Sequence, residues 1–203
     1  MKNSIKVKTA GVVLAGGLSR RFGEPKAFAI YNGKRFLDYS LNALKDAAES
    51  LAVVCRKEHK QEIAATCSAN IIEDLEAVKG QGPLAGIYSA MSAVPADWYI
   101  ILPCDAPLVP KSAVQYLKTA AEKEMDAKAI VPVNEEGIQP LIAVYHADAK
   151  ALILDLLVSG KQSMKAFLDE IPVRYIEGDL FNKEYLANIN DQEALSRLTE
   201  NDI

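Results

Sequence analysis

The stretch "VVLAGGLSRRFGEPKAF", Val12–Phe28, decides how the rest of the chain is read. An apolar run breaks into two glycines, followed by a serine, two arginines, a third glycine and a lysine. Apolar residues ending in glycines read as a buried parallel strand that stops at a loop. Glycines let the backbone approach a ligand and turn its amides inward as an anion cradle. Ser19 adds a hydroxyl, and Arg20, Arg21 and Lys26 set three positive charges against Glu24 alone. Arginine grips phosphate in a bidentate fork, and lysine acts as a point charge. Neither common nucleotide fingerprint is spelled here. A Walker loop needs Gly-Lys-[Ser/Thr], but Lys26 follows Pro25, and G-x-G-x-x-G fails because Gly16 and Gly17 are adjacent and the next glycine is Gly23.

Outward from this stretch, strands and helices alternate. "AGVVLA" (Ala10–Ala15), "LAVVC" (Leu51–Cys55), "NIIED" (Asn70–Asp74) and "DWYIILPCD" (Asp97–Asp105) predict strands. "FLDYSLNALKDAAES" places Leu37, Leu41, Leu44 and Ala48 at helical spacing. "EHKQEIAATC", "LAGIYSAMSAV" and "KSAVQYLKTAAEKE" predict further helices, with Pro83 in a first turn and Pro95 past a last one. "AIVPV" and "PLIAVYH" flank the turn "NEEG" as a hairpin or adjacent strands. Two helices ("DAKALILDLLVSG", "SMKAFLDEI"), a strand ("VRYIE") and a final helix capped by Asn190 or Asp191 complete the order. Repeated β-α units imply a mostly parallel sheet with helices on both faces and right-handed crossovers, a single-domain three-layer α/β/α sandwich of Rossmann-like type. Ligands bind such sheets beyond the carboxyl ends of the strands, where strand order switches. The loops to inspect are therefore Gly16–Lys26, Asp74–Pro83, Cys104–Pro107 and the segment around Gln139.

Composition bounds the rest. The 203 residues, half hydrophobic and a quarter charged with net charge −4, suit one globular domain. The basic residues are dispersed, which argues against a nucleic-acid partner. No apolar segment approaches the ~20 residues of a membrane span, and "MKNSIKVKTA" lacks the apolar core of a signal peptide. Cys55, Cys67 and Cys104 form no C-x-x-C pair and read as reduced thiols in the cytoplasm. With only His59 and His146, any metal chemistry is oxygen-ligated.

Two more constellations share the expected sheet edge. In "LPCDAP" (Leu102–Pro107), Asp105 follows a strongly apolar strand. It reads either as a Mg²⁺ ligand bridging to phosphates or as a turn cap. In "EDLEAVKGQGPLAG" (Glu73–Gly86), Asp74 ends a strand, and Gly80, Gly82 and Gly86 surround Pro83 at a helix start. That helix offers unpaired amides to an anion, or is simply a helix entry with a surface loop.

In this order the residues resemble nucleotidyltransferases carrying L-[AG]-[AG]-G-x-[SG]-x-R-[MF]-G-x-x-K. Leu14, Ala15, Gly16, Gly17, Ser19, Arg21, Phe22, Gly23 and Lys26 fall on that signature. "LAGG", "GPLAGI" (Gly82–Ile87) and "PCDAPLVP" (Pro103–Pro110) point within it to the molybdenum cofactor guanylyltransferases, and "QPLIAVY" and "NINDQEAL" extend the likeness over nearly the whole chain. The resemblance implies a nucleotide-diphospho-sugar transferase type of sheet. A nucleotide-binding half would span about 1–110 and an acceptor-binding half about 111–203. It implies transfer of GMP from GTP to the phosphate of molybdenum-bound molybdopterin, with Mg²⁺ as cofactor and transient contact with cofactor-biosynthesis proteins. The nucleotide would meet Leu14–Gly17, Ser19, Arg21, Lys26, Asp74, Gly82, Pro83 and Leu84. Lys26, Arg21 and Asp105 would carry catalysis, and Asp105 would bind the metal. Gln139, Pro140, Asn188 and Asn190 would serve the acceptor side, Asn188 or Asn190 completing the polar shell round the metal. The chain departs from the family at Cys55–Arg56, where relatives have asparagine, and at Gln139, where many have histidine before proline. Two alternatives stand beside this reading: a related cytidylyltransferase or sugar or polyol phosphate nucleotidyltransferase, and a nucleotide-binding module without turnover.

Overall fold

A computed structural model of the protein describes residues 7–200 apart from Leu18, Arg20, Arg21 and Met125. The chain begins with β1 (Thr9–Ala15), the short hairpin β2 (Ile30–Tyr31) and β3 (Lys34–Arg35), and α1 (Phe36–Leu44). Next come β4 (Ser50–Cys55), α2 (Lys60–Ala64), β5 (Asn70–Ile72), α3 (Pro83–Ala93) and β6 (Trp98–Pro103). The second half contributes α4 (Lys111–Lys123), β7 (Ala129–Asn134), β8 (Gly137–Ile138), β9 (Ala143–His146), α5 (Ala149–Val158), α6 (Met164–Leu168), β10 (Val173–Ile176), α7 (Lys183–Leu186) and α8 (Gln192–Glu200).

The main sheet has the order β10-β7-β9-β6-β1-β4-β5, with β8 paired to β7. β4, β1 and β6 run parallel, as do β4 with β5 and β7 with β10. β9 is antiparallel to both β6 and β7, and β8 is antiparallel to β7. "AIVPV" and "PLIAVYH" are adjacent antiparallel strands, β7 and β9, and the turn between them holds a further short strand, β8, that the sequence does not predict.

Alternation along the strands divides the core into two layers. On one face Val13, Ala15, Ile100 and Leu102 meet Leu37, Leu41 and Leu44 of α1, Ile63 of α2, and Val114 and Leu117 of α4. On the other, Ala10, Val12, Tyr99 and Ile101 meet Leu84, Ile87 and Met91 of α3, with Ile153 of α5 and Phe167 of α6. Each fully buried Leu or Ile contributes roughly 1.5–3 kcal/mol of transfer free energy, so both layers are needed to hold the strands. A third cluster joins Phe22, Ala29, Tyr31 and Phe36 to Ile189, tying the chain before α8 to the loop after β1.

Several elements are shorter than their sequences suggest, β5 and α1 among them. β5 stops at Ile72 instead of Asp74, because it is an edge strand paired only with β4 and the chain then turns into a 3₁₀ segment at Glu76–Val78. α1 stops at Leu44, and the Ala47 N–H reaches back to the Leu44 carbonyl in a tight turn that leaves Ala48 outside the helix.

Candidate active site

β1 lies between β4 and β6, so the chain leaves β1 on one side for β4 and β5 and later crosses to β6 on the other. This is the switch in strand order at which open α/β sheets bind ligands. The loops after β1 and β6 flank it. A cleft of about 940 Å³ opens there, lined by Leu14–Gly17, Ser19, Lys26, Asp74, Gly82, Pro83, Gly86, Asp105 and Asn190, among others.

Lys26 is the hub. Its Nζ donates to Asp105 Oδ2 at 2.6 Å and to Asn190 Oδ1 at 2.7 Å, while its backbone N–H donates to Ser19 Oγ at 3.1 Å. The Lys26 and Asp105 side chains are only 13% and 20% exposed, so solvent screens this pair weakly. Ser19 itself is a non-glycine residue at φ 47°, a left-handed conformation that costs energy and is held by the Phe22 N–H on its carbonyl at 2.9 Å. Asn190 reaches the cluster because Ile189 is buried in the third cluster and its N–H donates to the Asp105 carbonyl at 2.7 Å. The sequence left the cap of α8 open between Asn190 and Asp191. Asp191 takes it, its Oδ1 accepting the Ala194 N–H at 2.8 Å, and Asn190 is left for the lysine.

The opposite wall is the start of α3. Gly82 has φ 75°, which favours glycine, and Pro83 opens the helix where a missing N–H costs nothing. Gly86 is flush with β1: a Cβ there would lie 3.0 Å from Leu14 Cδ2 and 3.8 Å from Asp74 Oδ1. Burial raises the pKa of Asp74, opposed by a long bond of 3.5 Å from the Gly80 N–H. Burial likewise pushes the thiol of Cys55 up to about 11 and that of Cys104 to about 12. All three cysteines are free, and these two side chains are inert as nucleophiles at neutral pH.

The structure thus brings Leu14, Ala15, Gly16, Gly17, Ser19, Lys26, Asp74, Gly82, Pro83, Asp105 and Asn190 to one cleft. Arg21, with Arg20, lies outside the described residues. Leu84 is fully buried in the second core layer, so its side chain faces away from the cleft. Gln139 ties the β7–β8 hairpin by donating to Asn134 Oδ1 at 3.1 Å, and the Pro140 carbonyl accepts the Tyr145 hydroxyl at 2.6 Å. Neither these two nor the exposed Asn188 lines the cleft; from their neighbourhood only Leu141 does. The sequence did not single out Glu58, Glu73 or Lys79, which line the cleft from the ends of β4 and β5. Their place after predicted strands was the available signal. Among the described residues no three His, Cys, Asp or Glu side chains gather as a metal cluster, so a cation here would share its oxygen ligands with something bound.

A doubly covered, mostly parallel sheet with a glycine loop, a lysine and a strand-end aspartate at its switch point is the frame of a nucleotidyltransferase. The family model described as "MobA-like NTP transferase domain" matches residues 11–175, and the chain belongs to that family. Curated relatives named "Probable molybdenum cofactor guanylyltransferase" include one from Bacillus cereus (strain ATCC 10987 / NRS 248), 40% identical over 92% of this chain and 93% of the relative. Another, from Bacillus cytotoxicus, is 37% identical over 93% of this chain and 95% of the relative. Among solved structures, "Molybdopterin-guanine dinucleotide biosynthesis protein A" from Archaeoglobus fulgidus superposes with a TM-score of 0.80 at 25% identity, covering 94% of this chain and 97% of that one. Nucleotidyltransferases of this family generally use a divalent metal. No helix among the described residues is long and apolar enough to cross a membrane.

Proposed function

We propose that the protein transfers GMP from GTP to the terminal phosphate of molybdenum-bound molybdopterin, forming the guanine dinucleotide cofactor and releasing pyrophosphate. The observation that carries this reading is the Lys26–Asp105–Asn190 cluster beside the glycine loop at the switch point. The names of the curated relatives supply the base and the acceptor.

In this reading an acceptor phosphate oxygen attacks the α-phosphorus, the bond to the bridging oxygen breaks, and pyrophosphate leaves with its electron pair. The acceptor phosphate is ionised at pH 7, so no general base is needed, in keeping with a cleft that no histidine lines. The chain supplies position and positive charge. Leu14–Gly17 approach the nucleotide through backbone, Ser19 and Arg21 serve its β- and γ-phosphates, and Lys26 neutralises charge about the α-phosphate. Asp74, Gly82, Pro83 and the backbone of Leu84 hold the nucleoside side. Asp105 Oδ2 and Asn190 Oδ1 form an all-oxygen donor pair suited to Mg²⁺ shared with phosphates. When bound there, the cation supplies Lewis-acid polarisation of the α-phosphate.

Residues about 1–110 provide most of the nucleotide grip. The acceptor approaches from the side of about 111–203, where we place Gln139, Pro140 and Asn188. The three free thiols suit a cytoplasmic protein that passes its product to cofactor-biosynthesis partners. Pyrophosphate release from GTP in the presence of Mg²⁺ and molybdenum-loaded molybdopterin tests the reading. No release, or tighter binding of CTP than GTP by calorimetry, overturns it.

A further inference from the structure

Among the described residues, aromatic and cysteine side chains aside, three polar side chains are buried: Thr9, Ser40 and Ser89. Thr9 opens β1, at the end of the sheet remote from the cleft. The other two stand inside helices, where serine is a poorer helix former than alanine and a buried hydroxyl must find a partner. Neither finds it only within its own helix. Ser40 of α1 donates to the Pro103 carbonyl at 3.1 Å, 63 residues away, with a second, longer contact of 3.5 Å to Phe36 in its own helix. Ser89 of α3 accepts the Leu75 N–H at 2.9 Å. Pro103 ends β6 two residues before Asp105, and Leu75 directly follows Asp74, so each bond lands beside one of the two aspartates that line the cleft. The two helices belong to different core layers and grip the sheet edge from opposite faces.

We infer that Ser40 and Ser89 are positioning residues for nucleotidyl transfer: Ser40 sets Asp105 through the end of β6, and Ser89 sets Asp74 through the backbone after β5. A backbone group beyond the last ladder bond has no regular partner. At Leu75 the edge strand has already ended; Ser89 is the tie from this segment to α3, beside the local Val78 N–H on the Leu75 carbonyl at 2.9 Å, the exposed Lys60–Glu73 pair and the long Gly80 contact to Asp74. Gly86, three residues before Ser89 and on the same side of α3, lets the helix rest against Leu14 of β1, with Asp74 Oδ1 within van der Waals reach of the Cβ position. This inference rests on the assignment of Asp74 to the nucleotide and Asp105 to the cation.

The test is a double-mutant cycle on the full chain, read by GTP binding in calorimetry. Ser89→Ala removes one oxygen and is expected to weaken GTP about three- to tenfold, the worth of one hydrogen bond. In an Asp74→Ala background the same change should have no further effect, because the serine acts through that carboxylate. Ser89→Thr, which keeps the oxygen, should bind GTP as the wild type does. For Ser40→Ala, the expectation is about three- to tenfold weaker Mn²⁺ binding to the GTP complex, with metal-free GTP affinity unchanged. A merely structural role would lower the melting temperature and leave these affinities in place, and that result overturns the inference. An effect of Ser89→Ala that persists in full without Asp74 overturns it too. If Asp74→Ala itself leaves GTP binding unchanged, the nucleotide assignment of Asp74 has failed and the Ser89 half falls with it. Should Ser89→Ala not fold, amide exchange on the wild type decides: a Leu75 N–H exchanging at the rate of an open loop overturns the Ser89 assignment, and protection matching the α3 core supports it.

Discussion

Lys26 Nζ and Asp105 Oδ2 meet at 2.6 Å beyond the carboxyl ends of the paired strands β1 and β6, and the same ammonium holds Asn190 Oδ1 at 2.7 Å. The ammonium is thus bonded to both oxygens assigned to the cation, and a divalent ion there would compete with its charge. Lys26→Ala should lower turnover by orders of magnitude, since a charge aimed at a reacting phosphate supplies on the order of 3 kcal/mol. It should also raise Mn²⁺ affinity in the absence of nucleotide by roughly tenfold, as a competing charge is removed. Spin-resonance titration of Mn²⁺ checks this, with Lys79→Ala as a control: Lys79 lines the cleft but pairs with Glu76, and its removal should change little.

Asp105→Ala should abolish turnover at any Mg²⁺ concentration while leaving the fold intact. The loss of this mostly buried pair leaves the Lys26 ammonium with Asn190 and should cost about 1–3 kcal/mol in a urea melt. Steady-state rates over a Mg²⁺ series, beside circular dichroism, distinguish a lost site from a lost fold. Near-wild-type activity would remove Asp105 from the metal.

Gly86→Ala puts a methyl group 3.0 Å from Leu14 Cδ2 at the point where α3 rests on β1. Overpacking of this kind costs ~1–3 kcal/mol. The helix start would move outward, so KM for GTP should rise with the loss of stability. A variant equally stable and equally tight for GTP would show that the contact is slack.

Asp74 predicts a pH dependence of stability. Burial raises its pKa above the ordinary carboxylate value, so the native state binds its proton more tightly than the unfolded chain does. Its contribution therefore falls as pH rises from the unfolded pKa through the raised native one, and the ionised form is the destabilising one at neutral pH. Asp74→Asn should match the wild type well below pH 3.8 and gain relative stability across that window, holding the gain at pH 7 while losing GTP affinity. Urea midpoints from pH 3 to 7 measure the difference; a gain that appears as pH falls would refute the assignment.

The cysteines should separate by reactivity. Cys55 and Cys104 are buried with raised pKa values, whereas Cys67 is partly exposed. A disulfide reagent at pH 8 should titrate one thiol quickly in the native protein and all three in denaturant. Fast labelling of Cys55 would show that the cleft floor opens more than the packing implies.

Much of this arrangement was legible in the chain. The run ending at Ala15 and the fully apolar "WYIILP" had to be interior strands, and the residues following each had to share an edge of the sheet. That placed Lys26 and Asp105 together before any coordinate. The insertion of β9 between β6 and β7 was not legible, because an apolar "AVYH" does not say which strands flank it. The outward turn of Leu84 from the cleft follows from helix phase, which "GPLAG" does not fix. Nor could Ser40 and Ser89 be told from ordinary helix serines, since their partners lie on other elements and only tertiary packing selects them.

The third cluster bears on when the protein becomes an enzyme. The glycine loop, Lys26 and Asp105 all emerge early in synthesis, but the amide that completes the lysine's hydrogen bonding sits at Asn190, held by Ile189 against Phe22 and Phe36. A domain generally folds as a unit once its chain has emerged. A chain that keeps the sheet but lacks Asn190 would thus form the cleft with Lys26 only partly tethered. Chains cut before residue 188 should bind GTP yet show a more mobile Lys26 by NMR, and an equally rigid lysine would refute the idea. Synthesis itself would then act as a timer, delaying activity until the chain has passed Asn190.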